Sequence, residues 1–535
     1  MKYEKRGLYA ILGAMLTMAS PAPAQTAASG EQMEEGIFVP TWESLSQYET
    51  PEWYKDAKFG IWAHWGPQCQ PMDGDWYARH MYYEGTDQYK YHLAHYGNPK
   101  DYGFKEVIRD WKAEHWDPEK LVKLYKDCGA EYFMAMANHH DNLDMWDSPY
   151  QEWNTVRVGP KKDILEGWSR AARKYHLPFG LSVHASHTWT WMEPSQEYDG
   201  NLTKEDGKGT WWEGLDPQEL YAQRHPHSTN HEQPNGIHQQ WNWGNGACPP
   251  SEAYITKFYN RTLEMVHRFS PDVLYFDDTV LPFYPYNEEV GLKIAADFYN
   301  HSASTHKGEV TGVILGKQLN AEQKKCLTWD VERGIPDKTQ PDYWQTCTCI
   351  GDWHYNLGLY ERDGYKSAAT VIHMLVDIIS KNGNLLLSVP LRPDGTPDEK
   401  ELAILKDLAA WMKVNGVSIH GTRIWTTFGE GSSADNAKPV VGIGFNEGTD
   451  YTAADVRYVT KGNIIYATLL GWPTDEDITL KSFAPKAGYF TGAVKGVKIL
   501  GYGKQPYLLD KDGLHVSLPM NHGEEPAVVI KIETE

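Results

Sequence analysis

Two adjacent carboxylates, Asp277 and Asp278, follow a short apolar run at residues 271–276. A helix-like segment at residues 251–269 precedes that run, so the pattern is a helix, a buried strand and two acids. In a parallel α/β barrel, an acid at the C-terminal end of a strand lies on the face where catalytic groups gather. The alternative is that one of the acids only caps a turn. Similar polar residues at other strand ends favour the catalytic interpretation, with Asp277 as the reacting group.

Histidines follow two earlier strand-like segments. His64 comes at the end of the apolar segment 58–66, and His139 and His140 follow the next predicted strand. All three would share a barrel face with Asp277, where imidazoles can bind sugar hydroxyls. They could also bind a metal together with an acid, but the helical i, i+4 spacing and the Cys partners of common zinc sites are missing. We therefore expect no metal and no cofactor.

Helix and strand patterns alternate through most of the chain, which is typical of a parallel α/β fold. Asp117-Pro118 and Asp163 are predicted to begin helices, because Asp is a favoured N-cap and Pro fits the first turn. The sequence predicts a (β/α)8-like TIM barrel at residues 41–425. Further predicted strands lie at 131–137, 180–183, 310–315, 327–331 and 384–389, and further helices at 288–301, at 368–380 and after Asp398.

Two regions depart from this alternation. Residues 192–250 are rich in Gly, His, Trp, Asn and Pro, and a loop of that length is typically functional or disordered. We interpret it as a loop beside the substrate, with an excursion packed on the barrel rim as an equal alternative. Residues 426–535 contain short β-prone segments separated by Gly, Asp and Asn turns, which predicts a small C-terminal β-sandwich.

The first 24 residues have the features of a secretory signal peptide: a positively charged start, a short apolar run and small residues before a cleavage site. The apolar run is too short to span a bilayer. We therefore expect export to the periplasm or the outside, followed by a disordered lead-in at residues 25–40. No later segment is long and apolar enough to insert into a membrane.

The chain is strongly acidic and aromatic. Its net charge is −21, and removing three positive and one negative residue with the signal segment leaves about −23. This charge disfavours nucleic acid and anionic membranes as partners, because phosphate binding depends on Lys and Arg. The 22 Trp and 33 Tyr fit either sugar binding or a large core. Six cysteines in an exported chain could form disulfides, although Cys347 and Cys349 are not expected to bridge each other.

A strand-end carboxylate beside His and Trp suits glycoside cleavage. A retaining glycosidase needs one carboxylate as nucleophile and a second group that acts first as acid and then as base. Asp277 is the candidate nucleophile. A nearby Arg would keep it ionised, because an opposite charge favours the anion, and Arg333 is the best candidate for that Arg.

Several segments together resemble the motifs of the α-L-fucosidases, glycoside hydrolase family 29. The resemblance covers roughly residues 40–425. It implies a (β/α) barrel with a C-terminal β-sandwich, and retaining hydrolysis of terminal α-L-fucose without a metal. The partner would be a fucosylated oligosaccharide or polysaccharide. The segments are Lys58–Gly66, Asn138–Ser148, Tyr275–Asp278 and Asn382–Gly395, followed by Asn415-Gly416.

The resemblance implies roles for individual residues. Asp277 matches the nucleophile, although Asp278 follows it where the family normally has Gly. Asp75 stands where the family usually has Glu before Trp-Tyr, and His184 follows a strand in which many relatives carry Tyr. Arg333 resembles the Arg that supports the nucleophile. The expected substrate-binding residues are His64, Asp75, Trp76, His139, His140, His184, Arg333 and Trp353.

Gln345 is the main departure, because much of the family has Glu there as the acid/base. A Gln amide cannot donate a proton at neutral pH, and general acid catalysis is typically worth about 10²–10⁴ in rate. Glu332 is the first substitute, although a regular strand would point it away from Arg333. A structural salt bridge is an equal alternative for Glu332. Glu213 and Asp352 are the other candidates for the acid.

The sequence leaves three functional hypotheses. The first is an exported retaining exo-glycosidase that releases α-L-fucose or a close relative such as L-galactose, which adds one hydroxyl at C6. The second is a catalytically impaired sugar-binding protein on the same fold. The third is a metal-assisted hydrolase. The acid/base position distinguishes the first two, and sensitivity to a chelator would identify the third.

Overall fold

The computed structural model describes residues 30–229 and 242–535. Eight parallel strands, β1 to β8, form a closed barrel in chain order. This confirms the predicted TIM-type barrel. The strands are β1 Phe59–Ala63, β2 Tyr132–Asn138, β3 Phe179–Val183, β4 Val273–Phe276, β5 Val313–Gly316, β6 Thr328–Glu332, β7 Trp344–Cys349 and β8 Gly383–Ser388.

Helices cover most of the outside of the barrel. Asp117, Asp163 and Asp398 accept backbone N–H bonds at the starts of three of them, as their sequence pattern predicts. Residues 333–343, which join β6 to β7, contain no helix. The longer helices are Pro118–Asp127, Ile164–Lys174, Glu252–Phe269, Glu288–Thr305, Ala368–Ser380 and Glu399–Asn415. The shorter ones are Trp42–Leu45, Glu52–Ala57, Tyr77–His80, Asp87–His95, Phe104–Asp110, Thr188–Trp191, Pro217–Tyr221, Leu357–Glu361 and Ser432–Asp435.

The C-terminal part forms two antiparallel sheets. One has six strands in the order β14-β13-β17-β11-β10-β9, and the other has three in the order β12-β16-β15. Ile465 and Ile530 from the first sheet share a buried core with Leu480 and Val516 from the second, so the sheets pack as a sandwich. The strands are β9 Arg423–Glu430, β10 Val456–Lys461, β11 Ile464–Leu469, β12 Asp477–Leu480, β13 Val494–Ile499, β14 Gly503–Lys504, β15 Tyr507–Leu509, β16 Leu514–Ser517 and β17 Val528–Thr534.

A buried ion network joins the two domains. Asp377, on the helix before β8, accepts from Lys381 Nζ at 2.9 Å and from the Arg457 guanidinium on β10. Burial acts to raise the pKa of Asp377, but Lys381 and Arg457 outweigh it and lower the pKa to about 2. The aspartate is therefore charged, and it fixes the sandwich against the barrel.

The segment before the barrel is ordered where the structure describes it. Phe38 is 2% exposed, and Asn300 Nδ2 donates to the carbonyls of Glu34 and Phe38. Residues 30–40, expected to be disordered, therefore pack on the helix that carries Asn300. The predicted signal peptide and residues 25–29 lie outside the described residues.

Three further expectations concern loops, cysteines and membrane spans. The described part of the loop at 192–250 is packed, with Trp212 and Tyr221 buried, while residues 230–241 lie outside the described part. All six cysteines are unpaired, so the structure contains none of the disulfides that export would permit. Within the described ranges, no helix combines the length and the apolar character needed to cross a membrane.

Candidate active site

Asp277 lies directly after β4, at the C-terminal end of the barrel. Its backbone N–H donates to the Val183 carbonyl at 3.2 Å, which ties it to β3. Lys317 Nζ lies 2.6 Å from its Oδ1, and His140 Nε2 and His184 Nδ1 lie 3.1 and 3.4 Å from its Oδ2. Burial acts to raise the pKa of Asp277, but Lys317 and the two histidines outweigh it and keep the pKa well below its usual value. Asp277 is therefore an anion in a buried site.

Lys317 connects Asp277 to a second carboxylate. It directly follows β5, its side chain is 1% exposed, and its Nζ lies 2.6 Å from Asp277 Oδ1 and 2.5 Å from Glu332 Oε2. Two oxygens at these distances from one nitrogen are at most 5.1 Å apart, the sum of the two. Burial acts to lower the pKa of Lys317, but the two carboxylates raise it well above its usual value. The cation therefore stays charged between the two acids.

Glu332 is the last residue of β6, and its side chain is 13% exposed. Burial raises the pKa of Glu332; Lys317 acts to lower it and the neighbouring Asp277 to raise it. The pKa values of the two carboxylates are thus displaced in opposite directions. A pair of carboxyl groups with divergent pKa values can supply an anionic nucleophile and a proton donor in one site.

Arg333 does not occupy the position that the sequence predicted beside Asp277. Its backbone has a φ of 48°, and its guanidinium pairs with Glu447, with Nη2 2.8 Å from Oε1. Since successive side chains of a strand point to opposite faces, Glu332 enters the site and Arg333 leaves it. The predicted support of Asp277 by Arg333 is wrong, because Lys317 provides the opposite charge.

Gln345 lies inside the barrel, one layer below Asp277 and Glu332. It is fully buried on β7, pairs in register with Asp330, and donates from Nε2 to Asp330 Oδ1 at 2.8 Å. Its Oε1 accepts from Tyr54 Oη at 2.6 Å and Tyr132 Oη at 2.8 Å. Asp330 precedes Glu332 by two residues on one strand, a rise of about 6.6 Å. The Gln345 amide is therefore a hydrogen-bond partner for buried tyrosine hydroxyls inside the barrel. Because it lies below the Asp277–Glu332 pair, its presence does not remove an acid from that pair.

Gln68 determines which nitrogen of His139 carries the proton. Its Oε1 accepts from the Ala78 N–H at 3.4 Å, so its Nε2 donates to Asp141 Oδ2 at 3.2 Å and to His139 Nδ1 at 2.6 Å. Burial, followed by neighbouring histidines, lowers the pKa of His139 well below its usual value. The neutral ring therefore has its proton on Nε2 and can donate to a hydroxyl. His140 uses Nδ1 to donate to the His184 carbonyl at 2.8 Å, which directs Nε2 to Asp277.

His64 is buried and neither ring nitrogen has a hydrogen-bond partner among the described residues. Its ring centroid lies 5.1 Å from His139, 5.3 Å from His184 and 4.8 Å from His354. His354 Nδ1 lies 2.6 Å from Asp75 Oδ1, which leaves His354 Nε2 without a partner in the described chain. Burial lowers the pKa of His64 well below its usual value and lowers the pKa of His184 to about 4. His64, His139 and His184 are therefore neutral rings whose donors and acceptors suit hydroxyl groups.

Indole rings border the histidines. Trp62 packs on His64 with centroids 4.7 Å apart and on Trp353 at 5.5 Å. Trp191 packs on His140 at 5.2 Å and on Trp76 at 5.8 Å. The predicted Trp76 and Trp353 thus lie at the edge of this site. Apolar rings beside neutral polar groups match the two kinds of surface on a sugar.

Asp278 has a structural environment distinct from that of Asp277. It is buried, and it accepts from Ser186 Oγ at 2.6 Å and His187 Nε2 at 2.7 Å. His187 stacks on Trp243 with centroids 5.2 Å apart. The second acid therefore fixes the loop after β3, which carries His184.

The other two candidate acids lie away from Lys317. Glu213 is exposed and accepts from the Gly209 N–H at 3.1 Å. Asp352 accepts from Asn356 Nδ2 at 3.2 Å and from the Asp75 N–H at 3.4 Å, and burial raises its pKa. Glu332 is the candidate that contacts the same cation as Asp277.

Within this site, two overlapping groups of side chains could bind a metal ion. Their ligand atoms lie within 4.8 Å of one another. The hydrogen bond from Gln68 leaves His139, which belongs to both groups, with an N–H rather than a lone pair facing the cluster. This donor set therefore fits hydroxyl groups better than a cation. The groups are His64, Asp75, His139 and His354, and His139, His140 and His184.

Two family models match the chain. The α-L-fucosidase model matches residues 25–417, and the α-L-fucosidase C-terminal domain model matches residues 449–533. The chain belongs to the α-L-fucosidase family. It is thus a glycoside hydrolase of the fucosidase type, as its motifs predicted.

Members of the fucosidase family from animals and bacteria resemble the chain over most of its length. The plasma α-L-fucosidase of Homo sapiens is 26% identical over 497 residues, which cover 90% of this chain and 88% of the human protein. The tissue α-L-fucosidase of Mus musculus is 26% identical over 509 residues, 93% of each chain. The Thermotoga maritima α-fucosidase in complex with fucose has a TM-score of 0.65 at 21% identity and covers 92% of this chain and 100% of its own. At that identity the structural match shows the shared fold.

Sequence reasoning missed Lys317, His354 and Gln68. Lys317 lies two residues beyond the predicted strand at 310–315, so its place near a strand end was an available signal. His354 follows the predicted Trp353 directly. Gln68 has no comparable signal, because its role depends on a contact with His139 across 71 residues of chain.

Proposed function

We propose that the protein hydrolyses terminal α-L-fucosides, or those of a close relative such as L-galactose, with retention of configuration. Asp277 is the nucleophile and Glu332 is the acid and base. The observation that supports this best is the Lys317 bridge, which limits the two carboxylate oxygens to 5.1 Å apart. Retaining glycosidases have carboxyl groups about 5–5.5 Å apart, whereas inverting enzymes need about 6.5–9.5 Å to admit a water molecule.

In the first step, an Asp277 oxygen attacks C1 of the sugar and the bond from C1 to the leaving oxygen breaks. Glu332 transfers its proton to that oxygen. Burial raises the pKa of Glu332, which favours its protonated form. The product is a covalent glycosyl ester on Asp277 and a free alcohol.

In the second step, Glu332 accepts a proton from water, the water oxygen bonds to C1, and Asp277 leaves as a carboxylate. Lys317 makes the change of role possible. While Asp277 is esterified it has no negative charge, so Lys317 acts on Glu332 alone and lowers its pKa. Glu332 is thus an acid when Asp277 is free and a base when Asp277 is occupied.

The sugar is bound by the histidine cluster and its rings. His139 Nε2–H donates to a hydroxyl, His354 Nε2 forms a hydrogen bond with one, and His64 and Asp75 supply further polar atoms. Trp76 and Trp353 contact the apolar parts of the ring, and His140 and His184 orient Asp277. Arg333 contributes through Glu447 instead of touching the sugar.

Leaving-group dependence tests the acid assignment. Glu332→Gln should lower kcat/KM for a methyl or phenyl fucoside by about 10²–10⁴, while 4-nitrophenyl α-L-fucoside, which needs little protonation, still forms the intermediate. Azide should then speed turnover of the nitrophenyl substrate and yield the fucosyl azide of retained configuration. Glu213→Gln, at an exposed carboxylate, is the matched control. Equal loss on both substrates, or the same pattern in the control, would refute the assignment.

The impaired-binder hypothesis rested on Gln345, and the burial of that residue inside the barrel argues against it. Asp277→Ala tests the remaining distinction, because an enzyme loses turnover with this change while its affinity for fucose stays measurable. A wild-type protein that binds fucosides without hydrolysing them would contradict the proposal. Unchanged turnover after chelation would count against the metal-assisted hypothesis.

The natural substrate is a fucosylated oligosaccharide or polysaccharide met outside the cytoplasm. The charged start, short apolar run and small residues within positions 1–24 support export. N-terminal sequencing of the protein recovered from a host's periplasm or medium should begin after Ala24. A mature protein that still begins at Met1 would contradict this.

A further inference from the structure

One side of β6 has an incomplete barrel partner. β5 pairs only with Thr328 and Trp329, so the C-terminal half of β6 extends beyond it. On the other side β7 continues to Glu332, which pairs with Cys347. Glu332 therefore lies on a strand edge that the barrel itself does not cover.

A segment of the C-terminal domain occupies that edge. Residues 440–447 belong to the connection between β9 and β10. The Glu332 N–H donates to the Ile443 carbonyl at 2.8 Å, and the Phe445 N–H donates to the Glu332 carbonyl at 2.8 Å. A Cβ on Gly444 would lie 1.9 Å from the Glu332 carbonyl oxygen, so this approach requires glycine. Both backbone groups of Glu332 are thus fixed by the second domain.

Side chains anchor the same segment. Glu447 accepts from Arg333 Nη2 at 2.8 Å, from Lys366 Nζ at 3.0 Å and from Thr348 Oγ1 at 2.7 Å. Burial acts to raise the pKa of Glu447, but Lys366, Thr348 and Arg333 outweigh it and lower the pKa. The segment is therefore bound to the ends of β6 and β7 by a charged network.

Phe445 is the unusual member of this anchored segment. Its side chain is 59% exposed, and its φ is 63°, a left-handed conformation that bulky residues seldom adopt. The anchored backbone in this conformation presents an aromatic ring to solvent at a residue whose N–H bonds the Glu332 carbonyl.

We propose that Phe445 forms the leaving-group side of the active site, where its ring packs against the sugar from which fucose is released. The inference rests on the proposed function. A general acid must lie within hydrogen-bond distance of the leaving oxygen, so the leaving sugar lies beside Glu332. The C–H face of a pyranose packs well on an aromatic ring, whose face carries partial negative charge. The C-terminal domain is thus part of the substrate site.

The test compares substrates that do and do not have a leaving sugar. Phe445→Ala should lower kcat/KM for an α-L-fucosyl disaccharide about 5- to 10-fold, the loss expected of one aromatic contact. It should leave α-L-fucosyl fluoride turnover and inhibition by free L-fucose unchanged, because neither has a leaving sugar. Phe445→Tyr should restore disaccharide hydrolysis. Leu508→Ala, at an apolar residue of the same domain that is 61% exposed, is the matched control and should change nothing.

Three results would overturn the inference. Unchanged disaccharide kinetics in Phe445→Ala would show that the ring does not contact the leaving sugar. An equal loss on the fluoride would assign Phe445 a role in positioning Glu332 or in folding. If the wild-type protein turned over neither the fluoride nor the disaccharide, the proposed function itself would fail, and the inference with it.

Discussion

Replacement of Lys317 by Met should change the pH dependence of the enzyme in a predictable direction. Met keeps the length of the side chain but removes the charge that lies 2.6 and 2.5 Å from the two carboxylates. The oxygens, at most 5.1 Å apart, would then have no cation between them. At an effective dielectric constant of 20, two unit charges 5.1 Å apart repel by roughly 3 kcal/mol, or about 2 pKa units, and Lys317 offsets this repulsion in the wild type. The pair then binds one proton more strongly than in the wild type.

The sign of the effect follows from the loss of a cation, which disfavours both anions and raises both pKa values. For kcat/KM, the acidic limb of the profile reports ionisation of Asp277 and the basic limb reports loss of the Glu332 proton in the free enzyme. Both limbs should move to higher pH, the basic limb by about 2 units.

The assay is kcat/KM for 4-nitrophenyl α-L-fucoside from acidic to alkaline pH, with circular dichroism at each pH to check the fold. Lys317→Arg, which retains the charge, is the control and should keep both limbs near their wild-type positions. A Met variant whose profile matches the wild type, or moves to lower pH, would refute the argument that Lys317 sets the two carboxyl pKa values.

Two further predictions concern stability and sugar binding. Asp377→Ala should lower the free energy of unfolding in urea by about 3–5 kcal/mol, because it leaves two buried cations unpaired, whereas Lys498→Ala, at a half-exposed pair, should cost about 1 kcal/mol or less. The pKa of Asp377 is about 2 in the folded protein and about 3.9 in the unfolded chain. Its contribution to folding stability is therefore present above about pH 4 and is lost as the pH falls towards 2. A urea midpoint that does not fall with pH in this range would contradict this. His354→Ala should raise KM for the fucoside about 5- to 10-fold, the loss of one hydrogen bond. An unchanged KM would place His354 outside the sugar site.

Residues at strand ends were accessible to sequence reasoning because each depends on a local pattern. An apolar run followed by a polar residue marks the end of a buried strand, and parallel strands in a barrel present these ends on one face. Asp277, His64, His139 and His140 each follow such a run. Their side chains lie within one cluster in the structure, with His64 and His139 centroids 5.1 Å apart.

The direction of side chains near β6 and β7 was not accessible in the same way. Gln345 stands at a position where a motif predicts a site residue, yet its hydrogen bonds to Tyr54 and Asp330 place it inside the barrel. Arg333 was chosen for its charge, but its positive φ and its pairing with Glu447 direct it out of the site. Strand register and backbone conformation decide these outcomes, and neither is encoded by residue type at one position.

The sequence by itself determined the barrel, the C-terminal β domain, the family and the strand that ends in Asp277, because these follow from hydrophobic periods and motifs within short stretches. Only the tertiary structure decided which charges act together. Lys317 lies 40 residues from Asp277 and 15 from Glu332 along the chain, and closure of the barrel brings all three within one ion network. Residues 440–447 reach Glu332 only because the sandwich packs on an edge that β5 leaves uncovered. Electrostatic coupling depends on distance in space, so it could be read only from the folded chain.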